Sequence, residues 1–134
     1  MQRPLAVVLV CFALSLVGAG VAFGHDRETN NGVSVTVHID PDDDPVATQP
    51  ATIVIEKVET KAKFTWATCK CAWKITDSAG TVVYQKPARA RTPFVFPASG
   101  AYQLTFTGRV KATKTRWRTF RINYAWRAEA PPAP

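Results

Sequence analysis

Residues 80–128 contain no aspartate or glutamate, yet they carry ten lysines and arginines. A carboxylate catalyst therefore has no place in that half of the chain. Histidine is equally scarce: His25 and His38 are the only two, so nothing after residue 38 can supply an imidazole to a metal or a nucleophile. Cysteine occurs three times, at positions 11, 69 and 71. The sequence has no Gly-x-Ser-x-Gly elbow, no His-Glu-x-x-His motif and no phosphate loop. Glu56 and Glu59 are separated by an odd spacing, which sends their side chains to opposite faces of a strand and unmakes a glycosidase-like pair. These absences read as a binding protein without enzymatic activity.

What is present begins with an export signal. Met1, Gln2 and Arg3 form a short basic start, residues 5–17 are apolar, and Ala22-Phe23-Gly24 gives the small-x-small pattern of a cleavage site. The apolar run falls short of the roughly 20 residues that span a bilayer. Cys11 lies in mid-run without the small residues that precede a lipoprotein cut. Cleavage after Gly24 would expose His25 as the amino terminus and lower the formal charge from +7 to +6, since only Arg3 is lost. The remainder suits one domain, with residues 25–31 a flexible segment, 32–127 the folded unit and 128–134 a Pro/Ala-rich tail. Its acids gather early, notably at Asp40, Asp42, Asp43 and Asp44, and its cations late. Such a dipolar surface attracts an anionic envelope polymer or lipid headgroups, with peripheral membrane contact possible and nucleic acid not expected outside the cell.

Period-two alternation dominates the mature chain. Val33, Val35, Val37 and Ile39 share one face, while Ser34, Thr36 and His38 share the other, which places His38 towards solvent. Further strands are expected at residues 51–58, 63–76, 82–84, 93–96, 102–107 and 117–126, with a bend near Ala67 and Thr68 in the long third run. Asp77-Ser78-Ala79-Gly80 reads as a turn with glycine at a positive φ. No helical periodicity appears after the signal.

About seven short strands in some 100 residues read as an all-β antiparallel sandwich. Two segments carry a resemblance to a family. Gly100-Ala101-Tyr102 resembles the Gly-x-Tyr corner before the penultimate strand of immunoglobulin-like domains, in which the tyrosine hydroxyl bonds back to the loop. Residues 73–83, with their Asp-x-x-Gly turn, look like the strand, turn and return strand of bacterial exported immunoglobulin-like modules. The resemblance implies a single immunoglobulin-like β-sandwich. It does not extend to the inter-sheet disulfide of antibody domains, because Cys69 and Cys71 are too close in sequence to staple two sheets.

Three constellations could carry function. Cys69 and Cys71, two apart on an extended strand, would project to one side and suit a soft ion such as Cu(I). They could equally be a disulfide, buried core thiols or a link between chains. His25, as a free amino terminus, would offer its α-amine and imidazole to copper, with Asp26 and His38 as further ligands; this resembles exported copper carriers, which also use later histidines that this chain lacks. Asp40, Asp42, Asp43 and Asp44 could meet Ca²⁺, but the mutual repulsion of four carboxylates on one loop favours a solvated turn. Finally, Lys114, Arg116, Arg118 and Arg121 alternate with aromatics in the last hairpin. They could hold an anionic glycan or lipid headgroup, or simply stand in water above a buried aromatic face. Copper carriage and adhesion to an anionic envelope polymer are two expectations, and a purely structural role in the envelope is a third.

Overall fold

The computed structural model describes residues 26–134, so the expected signal segment and His25 lie outside the described residues. Its elements run β1 (Asp26–Asn30), β2 (Val33–Asp40), β3 (Pro50–Thr60), α1 (Trp66–Cys69), β4 (Ala72–Asp77), β5 (Val82–Pro87), β6 (Arg91–Val95), β7 (Gly100–Lys111) and β8 (Trp117–Ala128). They form two four-stranded sheets, β1-β2-β3-β6 and β5-β4-β7-β8, in which every neighbouring pair is antiparallel. The chain crosses between sheets after β3, β5 and β6. The expected all-β sandwich is thus observed, with eight strands among the described residues rather than about seven.

The core follows from the alternation. Val33, Val35, Val37 and Ile39 are wholly buried and face Trp73, Ile75, Leu104, Phe106 and Tyr124 from the opposite sheet. Aromatic rings interlock at one end, where Phe96 sits 4.8 Å from Phe94 and 4.9 Å from Tyr102, both edge-on. The Tyr102 hydroxyl donates to Ala98 O at 2.6 Å and accepts from Ala98 N at 3.2 Å, which makes the expected corner. Across the sandwich the Tyr124 hydroxyl donates to Val35 O at 2.7 Å, tying β8 to β2. Burial pushes the Tyr124 phenol well above its ordinary value, and the nearby carboxylates of Asp26 and Glu28 act in the same direction.

Three sequence expectations need correction. Residues 26–30 are not a flexible segment: they form β1, an edge strand hydrogen-bonded along β2 with Asn30 opposite Val33. The intervening Asn31-Gly32 has φ of 51° and 75°, the two-residue hairpin turn that such a dipeptide favours. Residues 63–76 are not one bent strand. Thr65 caps a single helical turn by accepting from Thr68 N, Lys70 ends it at φ 51°, and β4 starts only at Ala72. The tail, too, is docked at its start, because Ala47 N donates to Glu129 O and Glu129 N to Pro45 O, both at 2.8 Å. Only the following prolines and alanines are without regular structure and exposed.

Candidate functional site

The metal-binding candidates are held apart by the fold. Asp26 pairs with Val37, which is fully buried, so Asp26 lies on the inner side of its sheet. His38, next to Val37, projects from the outer side. It is not freely solvated as expected: its side chain is 17% exposed, with Nε2 2.9 Å from Asp40 Oδ1 and Nδ1 3.0 Å from Glu56 Oε1. Arg91 donates to the other Asp40 oxygen at 2.6 Å. That guanidinium hydrogen bond, helped by His38, holds the Asp40 carboxyl below its ordinary range despite some desolvation. The remaining aspartates serve the turn: Asp43 Oδ1 accepts from Ile39 N at 2.7 Å and Asp42 Oδ1 from Asp44 N at 3.2 Å. Among the described residues, no group of three or more His, Cys, Asp or Glu side chains is placed to hold one metal ion.

Cys69 and Cys71 do not share a strand face. Cys69 closes α1, Lys70 turns the backbone through the left-handed region, and the two sulfurs are joined in a disulfide with Cα atoms 5.0 Å apart. Both cysteines are buried. Sulfurs bonded to each other are not thiolates, so in this state they offer no ligand to Cu(I). The bridge lies against β7 at Gly108, where a Cβ would stand 2.6 Å from Cys69 Sγ and 2.9 Å from Cys71 Sγ. Glycine is the residue that lets the bridge approach this strand.

The basic residues, by contrast, converge. In the β7–β8 pairing Phe106 faces Ile122 and Gly108 faces Phe120 on the core side, which leaves Arg109, Lys111, Trp117, Thr119 and Arg121 on the outer face. Lys74 of β4, paired with Thr105 of β7, and Arg127, paired with Ala101, extend that face. From Trp117 to Arg127 the cationic track runs roughly 33 Å along β8. The Arg109 guanidinium stacks 3.9 Å from the Trp117 ring centroid and donates Nε to Thr68 O at 3.0 Å, while Lys111 Nζ lies 5.6 Å from the same ring. Among the described residues none of Lys74, Arg109, Lys111, Lys114, Arg116 and Arg121 is ion-paired; Arg127 approaches Glu129 at 3.9 Å.

The sequence-derived set of Lys114, Arg116, Arg118 and Arg121 is only partly brought together. Arg121 is on the outer face, and Lys114 and Arg116 are exposed in the turn beyond Lys111. Arg118 pairs with the buried Val110 and so points inward, with its guanidinium against Gly32 and its buried Nε without a hydrogen-bond partner. Lys74, Arg109 and Lys111 were missing from that set. The first sits on a different strand, and the other two join the face only through the register of β7 against β8.

An open concavity of about 710 Å³ lies beside this track, where the β1–β2 turn, the disulfide turn and the β7–β8 strands meet. Lys70, Arg109 and Arg121 contribute cations to it, and Asn30 and Asn31 contribute amides. Comparison of the chain with protein-family models, with curated proteins and with solved structures finds no match.

Proposed function

We propose that this is an exported, non-enzymatic binding protein that docks onto an anionic glycan of the cell envelope through the outer face of the β5-β4-β7-β8 sheet. One observation carries the reading: the outer face of β4, β7 and β8 presents Lys74, Arg109, Lys111, Arg121 and Arg127 among Thr, Asn, Gln and Ala, while the carboxylates of Asp26, Glu28, Asp40, Glu56 and Glu59 belong to the other sheet; Asp77, at the end of β4, is engaged in its own turn, and Glu129 lies beside Arg127 alone. Burying a sheet of cations, all but Arg127 unpaired among the described residues, in a packed protein interface would be costly, whereas a hydrated polyanion can lie along it and neutralise them. Threonine and asparagine hydroxyls and amides between the cations suit the hydroxyls of a sugar chain. Copper carriage is less well supported, since the sulfurs are bonded to each other and Asp26 and His38 lie on opposite sides of their sheet.

The test is retention on an immobilised polyuronate against a neutral polysaccharide. Retention should be specific to the acidic polymer, should weaken as salt rises above the physiological range, where the Debye length is about 8 Å, and should fall sharply in a Lys74→Ser, Arg121→Ser, Arg127→Ser variant of unchanged melting temperature. Equal retention on the neutral polymer, or indifference to salt, overturns the proposal.

A further inference from the structure

The concavity next to the cationic track has a construction that the track itself does not need. Several of the groups around it are held from behind, Arg109 and the two asparagines by their side chains and Lys70 and Arg121 by their backbone. Lys70 sits between two half-cystines at the left-handed end of α1, so its backbone is fixed by the covalent bridge on both sides. Arg109 is braced by Thr68 O and by the Trp117 ring. Asn31 Nδ2 donates to Thr119 O at 2.7 Å, and Arg121 N donates to Asn30 Oδ1 at 2.9 Å. Those two bonds clamp the β1–β2 turn onto β8 and leave Asn30 Nδ2 as a donor and Asn31 Oδ1 as an acceptor. The result is three cations and two oriented amides around one hollow whose volume, about 710 Å³, lies within the about 300–1,000 Å³ range of small-molecule sites. Arg109 and the two amides, held in place before binding, lose little conformational freedom when a ligand arrives.

Resting on the glycan-docking reading, we infer that this concavity is a subsite for a single carboxylate-bearing pyranose unit. The chemistry matches group by group. Guanidinium forks on Arg109 and Arg121 suit a planar carboxylate, the Lys70 ammonium adds a point charge, and the asparagine amides pair with ring hydroxyls as donor and acceptor. A flat cationic face alone would grip any polyanion by charge density. A concave site with oriented amides instead selects a sugar acid and can hold a short oligomer that is too small to span the track.

The experiment is calorimetric titration of the protein with trigalacturonate and with neutral galactotriose. Saturable binding of the acidic trimer, no binding of the neutral one, and a loss of at least about tenfold in a Lys70→Gln, Arg121→Gln variant are expected, since each charge-assisted bond is worth more than a neutral one. If the polyuronate is retained but the trimer does not bind, the subsite is overturned and the docking face stands. If neither binds, both readings fall. Equal binding of galactotriose also overturns the subsite. Should the double variant unfold, the side-chain amide resonances of Asn30 and Asn31 in the unaltered protein decide the matter: shifts on adding the acidic trimer support the subsite, and unmoved resonances reject it.

Discussion

Gly108 and Cys69 fit together only because residue 108 has no side chain. An added Cβ would stand 2.6 Å from Cys69 Sγ, 2.7 Å from Phe120 Cζ and 2.9 Å from Cys71 Sγ. Two of those neighbours are joined by a covalent bridge and the third is a buried ring, so none can move aside freely. Gly108→Ala should therefore cost on the order of 1–3 kcal/mol, the range for overpacking a tight core, as measured by urea unfolding. The same substitution at Gly80, whose absent side chain would meet nothing within 4 Å, tests packing separately from backbone, because its φ of 81° still penalises alanine. A Gly108→Ala variant as stable as the parent would show that the bridge does not press on β7.

The two buried tyrosine hydroxyls anchor different parts of the sandwich. Tyr102 fixes the loop before β7, and Tyr124 joins the sheets through Val35 O. Replacing either by Phe should cost on the order of 1 kcal/mol, the net worth of one buried hydrogen bond. The Tyr102→Phe loss should come with faster amide exchange confined to residues 98–101. Tyr124→Phe should loosen β1 and β2 as well. Identical exchange patterns in both variants would contradict these separate roles.

The strands were legible because apolar and polar residues alternate along them, even where the polar side chain, such as Ser34 or His38, is itself largely covered. Val33 to Ile39 and Phe120 to Tyr124 alternate without fault, and both are strands with the expected face buried. β1 was not legible by that signal, since its Asp-Arg-Glu-Thr-Asn sequence buries almost nothing and is held by backbone bonds to β2. The Asn31-Gly32 dipeptide was the clue that could have revealed it. Between Trp66 and Cys69 the alternation changes phase, a true sign of interruption, but phase alone cannot distinguish a bulge from one helical turn capped by Thr65. The basic patch was visible as composition. Its membership was not, because register decides that Arg109 and Lys111 share the face of Arg121 while Arg118 does not.

Acid should weaken the fold through two carboxylates. Arg91 and then His38 hold Asp40 below its ordinary value of 3.8, and Lys57 and then Arg27 hold Glu59 below its ordinary 4.5. In both cases the unfolded chain binds the proton more readily than the folded one, so the contribution to stability is present above the ordinary values and lost as pH falls through the depressed ones. An Asp40→Asn, Glu59→Gln variant should thus show a shallower fall in melting temperature below pH 4.5 than the parent. A parallel fall in both proteins would assign the acid sensitivity elsewhere.

Within residues 26–134 the only cysteines are those of the Cys69–Cys71 bridge. Protein spanning these residues, denatured without reductant, should release no thiol to a colorimetric reagent and two after reduction. Changing both to Ala should cost about 1–2 kcal/mol, since the loop closed is very short and its entropy correspondingly small. Binding of Cu(I) should then require prior reduction of the unaltered protein. Copper(I) binding by the oxidised form would mean that ligands other than these sulfurs are at work.

Arg118 separates a composition-based view of the basic patch from the structural one. It shares the last hairpin with Arg121, yet it faces inward opposite Val110, with Nε buried and unpartnered and its guanidinium near Gly32. A charge in that position supplies little to an outer-face ligand and bears a desolvation cost. Arg118→Met keeps the apolar stem and removes the charge. It should leave retention on polyuronate within about twofold of the parent and stability equal or higher, whereas Arg121→Gln should weaken retention without changing stability, because truncating an exposed cation affects binding through screened charge alone. Both variants are read by elution salt and thermal melting. If Arg118→Met loses retention as strongly as Arg121→Gln, the ligand reaches the inner edge of β8 and the outer-face assignment must be abandoned.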